Sequence, residues 1–313
     1  MPYPYEIEEI NKRTGDDPKG FALECEAIYN RKVMEAAASI YERAQVSGIV
    51  FLSGPSGSGK TTTAKKICEA IKHLGIYAHT ISIDRYYLSR DPETAPRTED
   101  GEFDLESPYC LDLELLNNHF HDLVRGEEVL IPHFSFNRQE RDPDKAKPLK
   151  LGKNEIVIFE GIHALNDMLT DEHPDAYKLY ISARSDIVEN NEVRFKRTWT
   201  RLLRRVVRDE LFRGNGAAET LKMWASVRTG EKLYISPYKY KADLLFDSSM
   251  AYEVPVMKRF AVNAISEIPE GTKRLEELRA VLPALMEFKE VAPELVPPES
   301  ILREFIGGGK YSY

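Results

Sequence analysis

The stretch Gly54-Pro55-Ser56-Gly57-Ser58-Gly59-Lys60-Thr61 constrains this chain more than any other. A short apolar run, GIVFLS (48–53), precedes it, and helix-favouring residues from Lys60 to about Leu74 follow it, stopped by Gly75. Gly-x-x-x-x-Gly-Lys-Ser/Thr between a buried strand and a helix is the pattern of a phosphate-binding loop. The glycines let the backbone curl into a nest of N–H groups, and the helix N-terminus adds the positive end of its dipole. Lys60 is expected to reach the β- and γ-phosphates of a nucleotide. The Thr61 hydroxyl is expected to ligate Mg²⁺, which prefers hard oxygen ligands. Gly54, Pro55, Ser56, Gly57, Ser58, Gly59, Lys60, Thr61 and Thr62 form the expected nucleotide-binding set. The hydroxyls of Ser56, Ser58, Thr62 and Thr63 suit ligand contact or simple capping equally well.

Further short apolar runs come later in the chain: IYAHTISI (76–83), EIVIF (155–159), KLYIS (178–182) and DLLFD (243–247). Helical periodicity lies between them, at 111–125 and in the long arginine-rich stretch before the last run. Buried strands alternating with helices predict an α/β fold, a parallel five-stranded sheet flanked by helices. A helix is expected over 21–46, with Leu23, Ala27, Ile28 and Met34 in helical spacing, and others over 274–289 and 299–305. Gly307-Gly308-Gly309-Lys310 mimics a phosphate loop but lacks its spacing and strand, so it reads as a flexible tail. The expected division is an N-terminal helical extension at 1–46, a core at 47–270 with a lid at about 194–230, and a C-terminal helical extension at 271–313. The segment 89–109 reads as a long functional loop.

A second acidic group should manage the metal. Asp84 follows TISI and Glu160 follows IVIF, both at the carboxyl ends of strands, where open α/β sheets bind ligands. The chain lacks the Asn-Lys-x-Asp of GTPases, the LSGGQ-type signature of transport ATPases and a DEAD helicase box. A kinase that moves phosphoryl from ATP to a small hydroxyl survives this comparison. That chemistry needs shielding from water. Residues 194–213 carry eight basic and two acidic side chains, ahead of Gly-Asn-Gly at 214–216. Arg197, Arg201, Arg205 and Arg208 recur at helical spacing and suit a phosphate-facing lid, though some must be structural. The whole chain has a net charge of −8, so the remainder is strongly acidic, which argues against a nucleic-acid coat.

These pieces resemble the uridine kinase/phosphoribulokinase family of P-loop kinases. The resemblance rests on GPSGSGKTT (54–62), SIDRYY (82–87), GEFDLESPYCLDLELL (101–116), VLIPHFSF (129–136), IVIFEGIHAL (156–165) and RRVVRDELFRG (204–214), in the family's order. The segments 224–248 and 300–313 are similar to a bacterial uridine kinase-like branch. Members of that branch often carry a synthetase-like N-terminal region, for which the stretch before the core leaves no room. The resemblance implies that Asp84 accepts the substrate hydroxyl proton and touches Mg²⁺ with Thr61 and Glu160. It implies that Tyr87, Phe103 and Asp104 surround sugar and base, and that Arg205, Arg208 and Arg213 are lid arginines, Arg205 also touching substrate. One departure stands out. Pyrimidine nucleoside kinases resemble Pro-x-Tyr-Asp-Phe followed by His, whereas here Phe134, Phe136 and Gln139 hold the corresponding places. Phe134 keeps an aromatic wall and loses a hydroxyl, so uridine or cytidine is the expected acceptor with another sugar or polyol as alternative. His133 is a substitute candidate for reading the base, although a packed or solvent-exposed histidine is the more ordinary reading, and His163 suits an approach to the active site and a hydrogen bond to a backbone carbonyl equally well. A nucleotide-gated RNA-binding regulator is the rival of another class.

Cys25, Cys68 and Cys110 stand apart with no Cys-x-x-Cys pair, as expected of a reducing cytoplasm without disulfides. His119 and His121 fall two apart on an expected helix and so face different ways, which argues against a metal site. The N-terminal residues carry early acids and no apolar core, unlike a signal peptide, and no apolar run is long enough to span a membrane. A homo-oligomer stays open.

Overall fold

The computed structural model describes residues 4–136, 138–214, 216–272 and 275–312. Asn215 of the Gly-Asn-Gly stretch and Arg274, the expected start of the 274–289 helix, lie outside these. The centre is a parallel sheet of β1 (Ile49–Ser53), β2 (Tyr77–Ser82), β3 (Glu155–Glu160), β4 (Tyr177–Ser182) and β5 (Leu244–Asp247), in spatial order β5-β4-β1-β3-β2. Every neighbouring pair is parallel. Successive side chains of a strand point to opposite faces, so both faces must be covered. Val50, Leu52, Ile156 and Ile158 enter one core, and Ile49, Phe51, Val157 and Phe159 the other.

The helices are α1 (Pro18–Arg43), α2 (Lys60–His73), α3 (Leu113–Val124), α4 (Arg197–Phe212), α5 (Ala217–Gly230) and α6 (Glu253–Ser266). The two ends of the chain join the first core, through Ile7, Ile10, Phe21 and Tyr29 at one end and Leu278, Leu285, Ile301 and Phe305 at the other. Helix α1 starts where Asp17 accepts from the Gly20 N–H at 2.9 Å, with Pro18 in its first turn. Its buried face is not the expected one. Leu23, Ala27, Ile28 and Met34 are exposed, and Phe21, Cys25, Tyr29, Val33, Ala36, Ala37 and Ile40 are buried. Both sides of this helix carry apolar residues, so spacing did not separate them. A further helix, Ile7–Asp16, precedes it.

Four other expectations are corrected. Glu192–Phe195 is a strand paired antiparallel with Ile187–Glu189, so the arginine-rich helix begins at Arg197, not 194. The 274–289 region holds two short helices, Leu275–Arg279 and Val281–Met286. Pro283 has no N–H to donate and is tolerated within a first helical turn, so a new helix starts just before it. Residues 299–305 contain only one turn, Arg303–Ile306, ended by Gly307 in the left-handed region. The residues after Gly307 are not a free tail, because the Lys310 N–H donates to the Pro298 carbonyl at 2.8 Å and its ammonium pairs with Glu69 at 2.7 Å. Among the described residues, no helix is long and apolar enough to cross a membrane.

Candidate active site

The loop 54–61 connects β1 to α2 at the carboxyl end of the sheet. Gly54 has no alternative there: a Cβ would lie 2.0 Å from the Ile181 carbonyl oxygen on β4. Gly59 adopts φ +83°, which side chains rarely accept. Helix α4 lies against the loop and holds its carbonyls. Arg201 donates to the Ser56 carbonyl at 2.9 and 3.2 Å, and Arg204 to those of Gly57 and Ser58 at 3.2 and 3.3 Å. Arg205 donates to the Ser56 hydroxyl at 3.1 Å. Committing the carbonyls to arginines suits a loop whose amides must serve an anion.

Strand register brings the acids to the loop. Leu52 of β1 and Ser82 of β2 both stand opposite Glu160 on the intervening β3. The Thr61 hydroxyl donates to Glu160 Oε1 at 3.3 Å. Burial pushes the Glu160 carboxyl up to about 7 against the pull of Lys60, and Asp84 adds to the rise. Asp84 lies one residue past Ile83 and two past Ser82, in a single 3₁₀ turn whose Asp84 N–H donates to the Ser82 hydroxyl at 3.4 Å. Its carboxyl is also raised by burial, with Lys60 and Arg213 acting the other way. Burial lowers Lys60, while Glu160 and Asp84 favour its charged form. The result is one lysine within electrostatic reach of two carboxylates, its ammonium donating to the Pro55 carbonyl at 3.4 Å.

Tyr87, Phe103, Asp104, Phe134, Phe136 and Gln139 line a single cavity of about 230 Å³, and Tyr87 stands three residues after Asp84 in the chain. Tyr87, Phe134 and Phe136 form an aromatic cluster with centroids 5.2–6.1 Å apart. Phe103 sits under Arg97 and Arg90 at 4.5 and 5.4 Å. Asp104 is buried and accepts from the Tyr234 hydroxyl at 2.8 Å. Gln139 accepts from Arg90 at 2.8 Å and donates to the Phe136 carbonyl at 2.6 Å. His133 is not among the lining residues. His163 is buried, its ring 6.4 Å from that of Tyr234, and burial pushes it down to about 4. His119 bonds the Tyr86 hydroxyl and His121 bonds Glu172, in different directions.

The arginines divide. Arg205 and Arg213 stay at the site, Arg213 exposed and near enough to Asp84 to lower it. Arg208 is paired with the acid next to it in the chain. It is buried on Asp209, which also draws in Arg205 at 3.4 Å and Arg213 at 3.7 Å. Three groups escaped the reading of the sequence: Asp209, the buried pair Arg201–Glu231, and Glu106. Burial pushes Glu106 up to about 7, with Arg205 and Lys60 opposing and Asp104 and Asp84 reinforcing. It therefore lies within electrostatic reach of Arg205, Lys60, Asp104 and Asp84. No local pattern marks it, since it is one acid in an irregular loop.

A phosphate loop, a strand-end acid pair and an adjoining cavity on this sheet define a P-loop kinase, a phosphotransferase with a hydroxyl group as acceptor. The pattern of the "Phosphoribulokinase / Uridine kinase family" matches residues 49–255, and the chain belongs to that family. It is 27% identical to a uridine kinase of Halobacterium salinarum, over 63% of this chain and 78% of that protein. It is 29% identical to a uridine kinase of Saccharomyces cerevisiae, over 64% of this chain but only 36% of that longer protein. The fold also matches the crystal structure of a candidate fructose transport system kinase from Silicibacter sp. TM1040. That match has a TM-score of 0.51 at 19% identity and covers 68% of this chain and 98% of that one.

Proposed function

We propose that the chain transfers the γ-phosphoryl group of ATP to the 5′-hydroxyl of a pyrimidine nucleoside, uridine or cytidine. The observation that carries this reading is that Asp84 lies within electrostatic reach both of Lys60 and of Tyr87, a lining residue of the aromatic cavity of about 230 Å³. A nucleoside base stacked among Tyr87, Phe134 and Phe136, with its sugar toward Asp104, would direct its hydroxyl at Asp84. The acceptor oxygen bonds to the γ-phosphorus as the bond to the β-phosphate oxygen breaks. Asp84 takes the hydroxyl proton. Lys60 and the amides of 54–61 hold the donor's phosphates, and Arg205 and Arg213 face the transferring group. Thr61, Glu160 and Asp84 offer an all-oxygen set that fits Mg²⁺, which when bound neutralises phosphate charge.

The relatives named uridine kinases favour the nucleoside. The engaged state of Gln139 favours a second reading, a different small sugar or polyol, because few polar groups remain to read a base. An RNA-binding role draws less support: Arg201, Arg204 and Arg208 are buried, and each has an acidic partner. The test is ATP consumption over a panel of nucleosides, sugars and polyols. Turnover with uridine or cytidine alone supports the first reading, and turnover only with a sugar or polyol replaces it.

A further inference from the structure

The C-terminal segment lies across the phosphate-loop helix. The Glu299 carbonyl accepts from Lys66 at 2.9 Å, and Lys65 bonds the Ser312 carbonyl. Ile301 is fully buried and packs on Gly59 so closely that a Cβ there would meet its Cδ1 at 2.1 Å. Phe305 is fully buried, its ring 5.2 Å from the Arg204 guanidinium. Tyr311 bonds Glu69 at 2.9 Å. These contacts deliver one carboxylate to the loop. Glu304 Oε2 accepts from the Thr62 hydroxyl at 2.5 Å and from the Thr62 N–H at 3.3 Å.

Thr62 stands in the first turn of α2, whose N–H groups have no partners within the helix. That turn carries the positive end of the helix dipole and is where a loop of this type receives a nucleotide's phosphates. Glu304 is thus an anion from the far end of the chain seated on an anion position. Its charge is also felt by Lys60 and Glu160. Ile301, Leu302 and Phe305 anchor the segment in the core, so any movement that vacates Thr62 falls to the partly buried Glu304 side chain.

We propose that Glu304 controls the affinity of the phosphate donor: its carboxylate competes with the donor's phosphates for Thr62 and must swing away for a nucleoside triphosphate to seat. Like charges placed together are repelled strongly, so donor affinity is set by how readily this side chain leaves. The inference rests on the donor half of the proposed function, the phosphate loop, and not on the identity of the acceptor.

The experiment is calorimetric titration of the full chain with ATP and Mg²⁺, without acceptor, for wild type, Glu304→Gln and Glu304→Ala. Gln keeps hydrogen-bonding capacity without the charge, and melting curves without ligand confirm that each variant folds. Both variants are expected to bind ATP at least about five-fold more tightly than wild type. Affinity unchanged within about two-fold, or weakened, in a folded Gln variant would overturn the proposal and leave Glu304 as a helix cap. Absence of ATP binding in all three proteins would overturn the phosphate-loop reading together with it, whereas wild-type binding with no acceptor turnover would touch only the acceptor.

Discussion

Arg204 and Glu253 form an ion pair sealed from solvent, 0% and 2% exposed, beneath the phosphate loop. The same guanidinium reaches the carbonyls of Gly57, Ser58 and Ser248, so one residue ties α4, α6 and the loop together. Breaking a buried pair by removing one partner strands the other charge, at a cost of about 3–5 kcal/mol. Glu253→Gln is therefore expected to lower unfolding stability by about that amount and to weaken ATP binding as the loop loses its anchor. Urea denaturation with the linear extrapolation measures the first effect. A loss under about 1 kcal/mol would show that Arg204 finds other compensation.

In the proposed reaction Asp84 receives the proton of the acceptor hydroxyl. Lys60 and Arg213 favour its ionised form while burial opposes it, a setting suited to a base that holds a proton only during transfer. Asp84→Asn keeps the size and removes the basicity. Turnover is expected to fall by about 10²–10⁴-fold, with ATP binding within about three-fold of wild type. Steady-state rates and a separate ATP titration report the two quantities. A variant that turns over at the wild-type rate would remove Asp84 from this role.

How much of the fold and site was legible residue by residue depends on how local each signal is. Strand β1, the loop and α2 are contiguous, so apolar run, glycines and helix could be read together. Glu160 was legible as a strand end, but its position beside Thr61 depends on β1 pairing with β3, a register that no single strand carries. The cavity residues Tyr87, Asp104, Phe134 and Gln139 come from three separate segments, and only the family resemblance joined them. Arginine spacing in α4 was visible, yet periodicity cannot say which face is buried, and Arg208 lies on Asp209. Glu304 sits 242 residues from Thr62, and nothing local announces such a contact.

Glu106 makes stability depend on pH in a direction opposite to that of paired surface acids. The unfolded chain releases this proton near the ordinary value of 4.5, the folded chain at about 7. Between those values the folded state binds more protons, so stability is greatest below the window and falls as pH rises through it. Glu160 acts in the same sense. Without nucleotide or metal, wild type is expected to lose up to about 3 kcal/mol from about pH 5 to about pH 8 through Glu106. Glu106→Gln should lose less over that range, since its amide does not titrate. Denaturant midpoints across that pH range test this, and identical slopes for the two proteins would show that Glu106 is ionised throughout.

The acceptor cavity makes the last prediction. Phe134 contributes an aromatic wall without a hydroxyl, and Gln139 spends its amide on Arg90 and the Phe136 carbonyl. A site gains discrimination when it offers hydrogen bonds that a competitor cannot satisfy, and it loses discrimination when those groups are absent or already engaged. Phe134→Tyr with Gln139→His would supply a hydroxyl and an imidazole at the two positions where the family pattern has them. Residue 139 has φ +56°, tolerable for His, and Phe134 packs against Tyr87 and Phe136, where a ring of the same shape fits. If the cavity receives a pyrimidine, kcat/KM for uridine should rise on the order of ten-fold relative to a sugar acceptor tested in parallel. The comparison within one protein cancels any change in donor binding or folded fraction. A double variant that folds, retains its turnover of a sugar or polyol and shows no gain for uridine would mean that these side chains do not face a base, and would move the acceptor to the sugar or polyol class.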